Sequence, residues 1–304
     1  MHSPKTEMRE PLRKILVATD FSPGAQLAFE RALLLPMAGN ATVHVVHVLS
    51  PNVPAKARGK ATSEAKQRLE KCLSSARAQA DAKKLSITME ILSGEPFVEI
   101  IRCSRNVNAE LVVLGRHGHR PVQDMFIGTT AERVIRKGDV PILAVHLNPA
   151  SPYRRPLIAT DLGDTAPRVF GLTLRMLEPT VKAIHVVHAF NVPFEGFVTP
   201  TLGTKEKSDY RRSFRDSAKA GMAKLLARYE NTGLRWRSTI RAGDARSLIL
   251  EEILRRRADL VALGTHGRSG IAHALVGSVA EWVIAQAPCD VLVARPVRFS
   301  FELP

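Results

Sequence analysis

The chain has 304 residues, 45% hydrophobic and 24% charged, a length that suits two domains of ordinary size and a composition that excludes a disordered polymer. No apolar stretch approaches the ~20 residues needed to span a bilayer. The net charge of +15 is spread evenly, with 21 Lys and Arg against 14 Asp and Glu in residues 1–150 and 23 against 15 in the rest. Without a basic tail, that spread does not single out nucleic acid; phosphorylated small molecules fit such a balance as well.

Aromatic residues are only 5%, so the cores must be built from Leu, Ile, Val and Ala. The run Arg255-Arg256-Arg257 reads as a solvated helix face. Cys72, Cys103 and Cys289 form no CxxC pair, which points to a reducing compartment. The polar stretch Met1–Glu10 lacks the apolar core of a signal peptide, and a cytoplasmic protein without membrane contact is expected.

In chain order, Lys14–Thr19 is a continuous apolar strand, followed by a turn at Ser22-Pro23-Gly24 and a helix from about Ala25 to Pro36. Thr42–Leu49 is a second strand. A long amphipathic helix from about Ser63 to Lys84 carries Leu69, Cys72, Leu73 and Ala76 at helical spacing. Ser86–Leu92 is a third strand and Pro96–Arg105 a short helix with proline in its first turn. Glu110–Leu114, Gly128–Lys137 and Pro141–His146 complete the set as strand, helix and strand.

The whole pattern then recurs. Leu157-Ile158-Ala159-Thr160-Asp161 echoes Leu16-Val17-Ala18-Thr19-Asp20, and His185-Val186-Val187-His188 repeats His44-Val45-Val46-His47, both at an offset of 141. Leu263-Gly264-Thr265-His266-Gly267 matches Leu114-Gly115-Arg116-His117-Gly118 at an offset of 149. The second copy thus holds about eight extra residues in one connection, as two folded copies would tolerate. A Pro-containing join, Asn148-Pro149-Ala150-Ser151-Pro152, separates a first domain over residues 1–148 from a second over residues 153–304. About five strands and four helices per copy, with helical crossovers and fully apolar strands, predict parallel sheets covered on both faces.

Both copies share the spacing G-x2-G-x9-G-[ST]: Gly115, Gly118, Gly128 and Thr129 in the first, Gly264, Gly267, Gly277 and Ser278 in the second. Glycines just past a strand let backbone N–H groups approach a phosphate, and the last pair opens a helix whose positive end favours an anion. Asp20 and Asp161, at the end of the first strand, line the same crevice if strands one and four are neighbours. The alternative is that these are turn glycines and ordinary helix caps.

With these motifs the chain resembles the universal stress protein family in its tandem form, from about Arg13 to Arg295; the glycine spacing is that of the family's ATP-binding branch. The resemblance implies two Rossmann-like α/β domains (adenine nucleotide alpha hydrolase-like), each a five-stranded parallel sheet of order 3-2-1-4-5 with helices on both faces. It implies ATP or ADP, with or without magnesium, at the switch between strands one and four. Asp20 and the Val48 backbone would meet the adenosine end; Leu114, Gly115, Gly118, Gly128, Thr129 and Thr130 would surround ribose and phosphates. In the second copy the matching positions are Asp161, Ala189, Leu263, Gly264, Gly267, Gly277, Ser278 and Val279. Family members often dimerise through the last strand; here Pro141–His146 and Val291–Arg295 would make that pairing within one chain, and a homodimer is a further possibility.

Two departures stand out. The family's Asp-x-Ser is Asp20-Phe21-Ser22 in the first copy but Asp161-Leu162-Gly163 in the second. The first copy's loop carries Pro121 and Asp124, whereas Arg268-Ser269-Gly270 stays closer to the family and ranks the second copy as the better phosphate site. His44 and His47, three apart on a strand, face opposite sides and cannot share one ion, so no metal ligand is assigned. His117, His119 and His266 flank the glycines, and the connection from about Asn191 to Tyr210 reads as a loop. With no nucleophile elbow, Walker lysine or GxGxxG, no catalytic residue is assigned. The expected function is an ATP/ADP-binding stress-response protein, non-catalytic or a very slow ATPase, acting on an unknown protein partner. The alternative is a nucleotide-independent interaction scaffold with a basic surface.

Overall fold

The computed structural model describes residues 10–116, 128–192, 204–265 and 276–296. The first copy runs β1 (Leu12–Ala18), α1 (Pro23–Leu34), β2 (Met37–Leu49), α2 (Ala55–Ala82), β3 (Ser86–Ser93), α3 (Pro96–Asn106), β4 (Leu111–Gly115), α4 (Thr129–Lys137) and β5 (Ile142–Val145). The second runs β6 (Pro156–Ala159), α5 (Ala166–Arg175), β7 (Ala183–Phe190), α6 (Thr204–Ala227), β8 (Arg235–Ala242), α7 (Ala245–Arg256), β9 (Leu260–Gly264), α8 (Ser278–Gln286) and β10 (Asp290–Ala294).

Two separate sheets do not form. All ten strands join one mixed sheet of order β3-β2-β1-β4-β5-β10-β9-β6-β7-β8. Each half keeps the expected parallel order, and β5 and β10 close the gap antiparallel, with Val291 opposite Ala144, Leu292 opposite Leu143 and Val293 opposite Ile142. A free edge of each half would expose unpaired N–H and C=O groups, and mutual pairing satisfies both. Leu143 and Leu292 are equivalent positions at the offset of 149 and lie opposite one another, so a pseudo-twofold axis passes between them.

Strands β4, β5, β6 and β9 are apolar at every position because helices cover both faces. One face buries Phe29, Leu33, Leu69, Phe170, Met222 and Leu225; the other buries Ile101, Val134, Ile135, Ile253, Val283 and Ile284. Three elements begin earlier than the sequence suggests. β2 starts at Met37 and passes through Asn40 with positive φ. α2 starts at Ala55, and α6 (Thr204–Ala227) starts within the connection expected to run to about Tyr210. No described helix is long and apolar enough to cross a membrane.

Asp290 pins the seam. It is fully buried, and its Oδ1 accepts the N–H groups of His146 and Leu147 at 2.8 Å each. Its Oδ2 accepts the Tyr153 hydroxyl at 2.6 Å and the buried Arg31 Nε at 3.1 Å. Arg31 also donates to the Ser151 carbonyl at 2.8 Å and lies 4.2 Å from the centre of the Tyr153 ring. Strand, linker and α1 therefore converge on one carboxylate. Burial and the adjacent Asp290 raise the Tyr153 phenol well above its ordinary pKa, so it remains a donor.

Two of the three consecutive arginines are not a simple solvated face. Arg255 and Arg256 reach back one turn to the buried Glu252, at 2.5 and 2.7 Å, while Arg257 takes a left-handed conformation at the helix end. Burial alone would raise the Glu252 pKa, but the Arg255 and Arg256 hydrogen bonds hold it below its ordinary value. His185 lies over this group, with Nε2 2.9 Å from Thr239 Oγ1 and 3.4 Å from Glu252 Oε2. Burial, helped by Arg256, lowers its pKa from 6.5 to about 4 against the smaller opposing pull of Glu252.

Asp290→Ala strands Arg31 and three other donors in the seam. Equilibrium urea unfolding should show a loss of about 3–5 kcal/mol, the usual cost of removing one partner of a buried charged pair. A loss within experimental error would show that the seam does not depend on this residue. For His185, the folded ring stays neutral down to pH about 4, whereas the unfolded ring protonates near 6.5. Its contribution is complete above pH 6.5 and is lost as pH falls toward 4, because the unfolded chain binds the extra proton. The urea midpoint should drop over that window, less steeply in His185→Gln; equal slopes would contradict the assignment.

Candidate functional site

At the carboxyl end of β1 the chain makes a tight corner that the second copy reproduces. Phe21 has φ 62° and donates its N–H to Thr19 Oγ1; Leu162 has φ 64° and donates to Thr160 Oγ1, both at 3.0 Å. Asp20 Oδ1 accepts from Ser22 N, and Asp161 Oδ1 from Gly163 N, again at 3.0 Å. His47 and His188 each place Nδ1 2.8 Å from the carbonyl of the preceding strand, Thr19 and Thr160 respectively. Burial lowers the His47 pKa, and its ring packs on Phe21 at 4.4 Å. The change from Ser22 to Gly163 therefore leaves the aspartate turn intact. What it removes is a helix cap: Ser22 Oγ accepts from Ala25 N at the start of α1, whereas no side chain caps α5.

The two ends of the glycine motif meet in both copies. Gly128 N donates to the Arg116 carbonyl at 2.8 Å, and Gly277 N to the Thr265 carbonyl at 2.6 Å. Each stitch sets the start of a helix beside the end of a central strand. Gly128 and Gly277 are the N-caps of α4 and α8 and offer no side-chain cap; among the described residues the first-turn N–H groups and the positive dipole end thus face a position suited to an anion. Thr129 and Ser278 are exposed there. Glu132 and Glu281 fall in the same first turns, and both pair with Arg136, at 3.0 and 3.1 Å.

In the second copy these elements enclose a cavity of about 270 Å³. Its wall contains Asp161, Ala189, Leu263, Gly264, Gly277, Ser278 and Val279, which is every described position singled out in that copy from the sequence. Ala159, Val187, Ala245 and Ile249 add an apolar floor, and Thr160, Thr165 and Thr265 add hydroxyls. The sequence reading missed these seven, because a β-strand alternation says which residues face a helix but not which helix leaves a gap. Gly118 and Gly267, the flanking His117, His119 and His266, and the loop residues Pro121, Asp124 and Arg268-Ser269-Gly270 lie outside the described residues.

In the first copy, Asp20, Val48, Leu114, Gly115, Gly128, Thr129 and Thr130 occupy the equivalent strand ends and helix start. Gly115 has a packing reason of its own. A Cβ there would lie 2.5 Å from the Gly24 carbonyl carbon and oxygen and 2.8 Å from Ala25 N, so the first turn of α1 excludes any side chain.

Each copy's final helix is gripped at its far end by the other copy. Arg116, buried at the base of the first motif, donates Nη1 to the Ala287 carbonyl at 2.6 Å and Nη2 to that of Ala285, at the end of α8. Arg295, just after β10, donates Nη2 to the carbonyls of Ile135 and Arg136 at the end of α4. A cation at a helix C-terminus answers both the unpaired carbonyls and the dipole. Burial lowers the pKa of both guanidiniums, that of Arg295 to about 10.

Comparison with known proteins agrees with this architecture. The model of the universal stress protein family matches twice, over residues 11–146 and 152–295. Universal stress protein E of Escherichia coli (strain K12) is 26% identical over 210 residues, which cover 67% of this chain and 66% of that protein, just under two thirds of its length. A universal stress protein of Mycobacterium tuberculosis (strain ATCC 25618 / H37Rv) is 26% identical over 222 residues, 70% of each chain. Among solved structures, a universal stress protein from Archaeoglobus fulgidus DSM 4304 superposes with a TM-score of 0.62 at 18% identity, covering 93% of this chain and 98% of the other. The chain belongs to the universal stress protein family and carries two of its domains in tandem.

Proposed function

We propose that this protein binds ATP or ADP in the second copy's cavity and acts through its nucleotide state on a protein partner, with hydrolysis absent or very slow. The observation that carries the reading is the cavity itself. The described residues chosen from the glycine spacing, with the strand-end aspartate, line one recess, apolar on its floor and open to a helix N-terminus at its edge. At about 270 Å³ it is close to the lower end of the ~300–1,000 Å³ common for small-molecule sites. A planar base suits the alanine, valine and isoleucine floor; Asp161 suits a ribose hydroxyl; Gly277, Ser278 and Val279 suit phosphate oxygens. Magnesium would accompany the phosphates rather than require a carboxylate cage.

Fast phosphoryl transfer needs a positioned base and metal carboxylates; among the described residues the cavity wall supplies one carboxylate, Asp161, already engaged with Gly163 N. A second reading, a scaffold independent of nucleotide, is favoured in the first copy by Gly115, whose glycine is explained by contact with α1 alone.

Mass spectrometry of protein purified without added nucleotide, followed by calorimetric titration with ATP and ADP, tests the reading. Wild type should carry or bind adenine nucleotide, and Gly277→Glu, which places a carboxylate at the helix entrance, should weaken binding at least tenfold while circular dichroism stays unchanged. Gly128→Glu reports on the first copy in the same way. Folded wild-type protein with no affinity for either nucleotide would overturn the proposal in favour of the scaffold, and turnover of many ATP per second would overturn its non-catalytic part.

A further inference from the structure

Away from the nucleotide cavity, three donors of different chemistry meet on the first copy's α3 face. His44 is in the middle of β2, in register with Leu16 of β1 and Thr88 of β3. Glu90 lies two residues beyond Thr88, on the same side of β3, and Cys103 comes down from α3. His44 Nε2 is 3.1 Å from Glu90 Oε2, and the Cys103 thiol reaches the same oxygen at 3.6 Å. All three ligand atoms lie within 4.8 Å of one another.

We propose that His44, Glu90 and Cys103 bind a divalent transition-metal ion of the zinc class, with a water molecule as fourth ligand. Tetrahedral bonds of about 2.0–2.3 Å place neighbouring N, O and S ligand atoms about 3.3–3.6 Å apart, close to the two separations from Glu90 Oε2, 3.1 Å to His44 and 3.6 Å to Cys103. A mixed imidazole, carboxylate and thiolate set suits zinc or cobalt and disfavours magnesium or calcium. His44 Nδ1 is 2.7 Å from Thr88 Oγ1, the outer contact that fixes the orientation and tautomer of a ligating imidazole. Cys103 is buried, whereas the Glu90 side chain is 44% exposed, so an ion has a closed floor and a path from solvent.

The second copy supplies an internal contrast. Under the repeat, Glu90 becomes Thr239 and Cys103 becomes Glu252, and that carboxylate is held by Arg255 and Arg256. The first copy has Asn106 and Val107 at those two arginine positions. Among the described residues no lysine or arginine pairs with Glu90. One copy resolves this buried polar spot with fixed cations; the other leaves donors without them.

Binding replaces protons by metal: the Cys103 S–H bond breaks, its electron pair forms the metal–sulfur bond, and the proton leaves to solvent as coordinated water is released. Because the thiol must lose its proton to bind, affinity should rise with pH across the neutral range. Titration of the full-length protein with Co²⁺ should give one equivalent of a species with a thiolate-to-cobalt charge-transfer band in the near ultraviolet, bleached by Zn²⁺. Cys103→Ser should abolish the band and Cys72→Ser should retain it. Thr88→Val should keep the band while weakening affinity about 10–100-fold. His44→Gln, checked for native circular dichroism, provides the same loss by a second route. Absence of the band in wild type, or its persistence in Cys103→Ser, would overturn the proposal. Neither outcome depends on nucleotide binding.

Discussion

The antiparallel pairing of β5 with β10 is the contact on which the remaining structure depends, and Asp290 is what makes it specific. Main-chain pairing of two short apolar strands would tolerate a slip of register. A carboxylate that must accept from His146 N, Leu147 N, Tyr153 and Arg31 together has one solution. Because one of its partners lies in the linker segment and another on α1, the same group also fixes the path between the copies. A sheet that would otherwise end at two open edges becomes one ten-stranded body, with a continuous core on each face.

That seam brings the two glycine motifs into mechanical proximity. α8 begins at the second cavity with Gly277 and ends under Arg116, whose own carbonyl anchors Gly128 at the first motif. α4 begins at that first motif and ends under Arg295, which adjoins the strand paired with β9. Each helix that opens at a glycine motif is therefore fastened at its far end by the opposite copy. Removing either domain would leave a helix C-terminus of the other with its carbonyls unanswered. The two copies therefore pack as one unit even though each repeats the other's pattern.

Much of this was legible in the chain because the signals were local. Runs such as Leu111-Val112-Val113-Leu114 declare a strand buried on both faces, and the glycine spacing sets a loop between a strand end and a helix start. The early start of α2 was not legible: Ala55–Thr62 is almost wholly exposed, so no apolar period marks it, and only helix propensity carries it. Asn40 in β2 hid the strand's beginning, since a Gly-Asn pair reads as a turn until its N–H is seen donating to the Lys84 carbonyl. Long-range chemistry was the least visible. Nothing near Asp290 announces Arg31, 259 residues away, and the face that His44 shares with Glu90 and Cys103 exists only once three elements are packed.

Fusion explains why the copies differ where they do. In a symmetric dimer, position 290 would occur twice across the axis, and two buried carboxylates would need two sets of donors. In one chain the equivalent position can be Pro141, which asks for no donor, while Asp290 takes all four. The same freedom lets Ser22 cap a helix where Gly163 does not, at no cost to the aspartate turn that both share. It also lets a strand-and-helix pair be Thr239 with an arginine-bound Glu252 in one copy and Glu90 with Cys103 in the other. The shared backbone sets where a polar group must be satisfied; each copy then chooses its own partners, and the chemistry of the two halves diverges without the fold having to change.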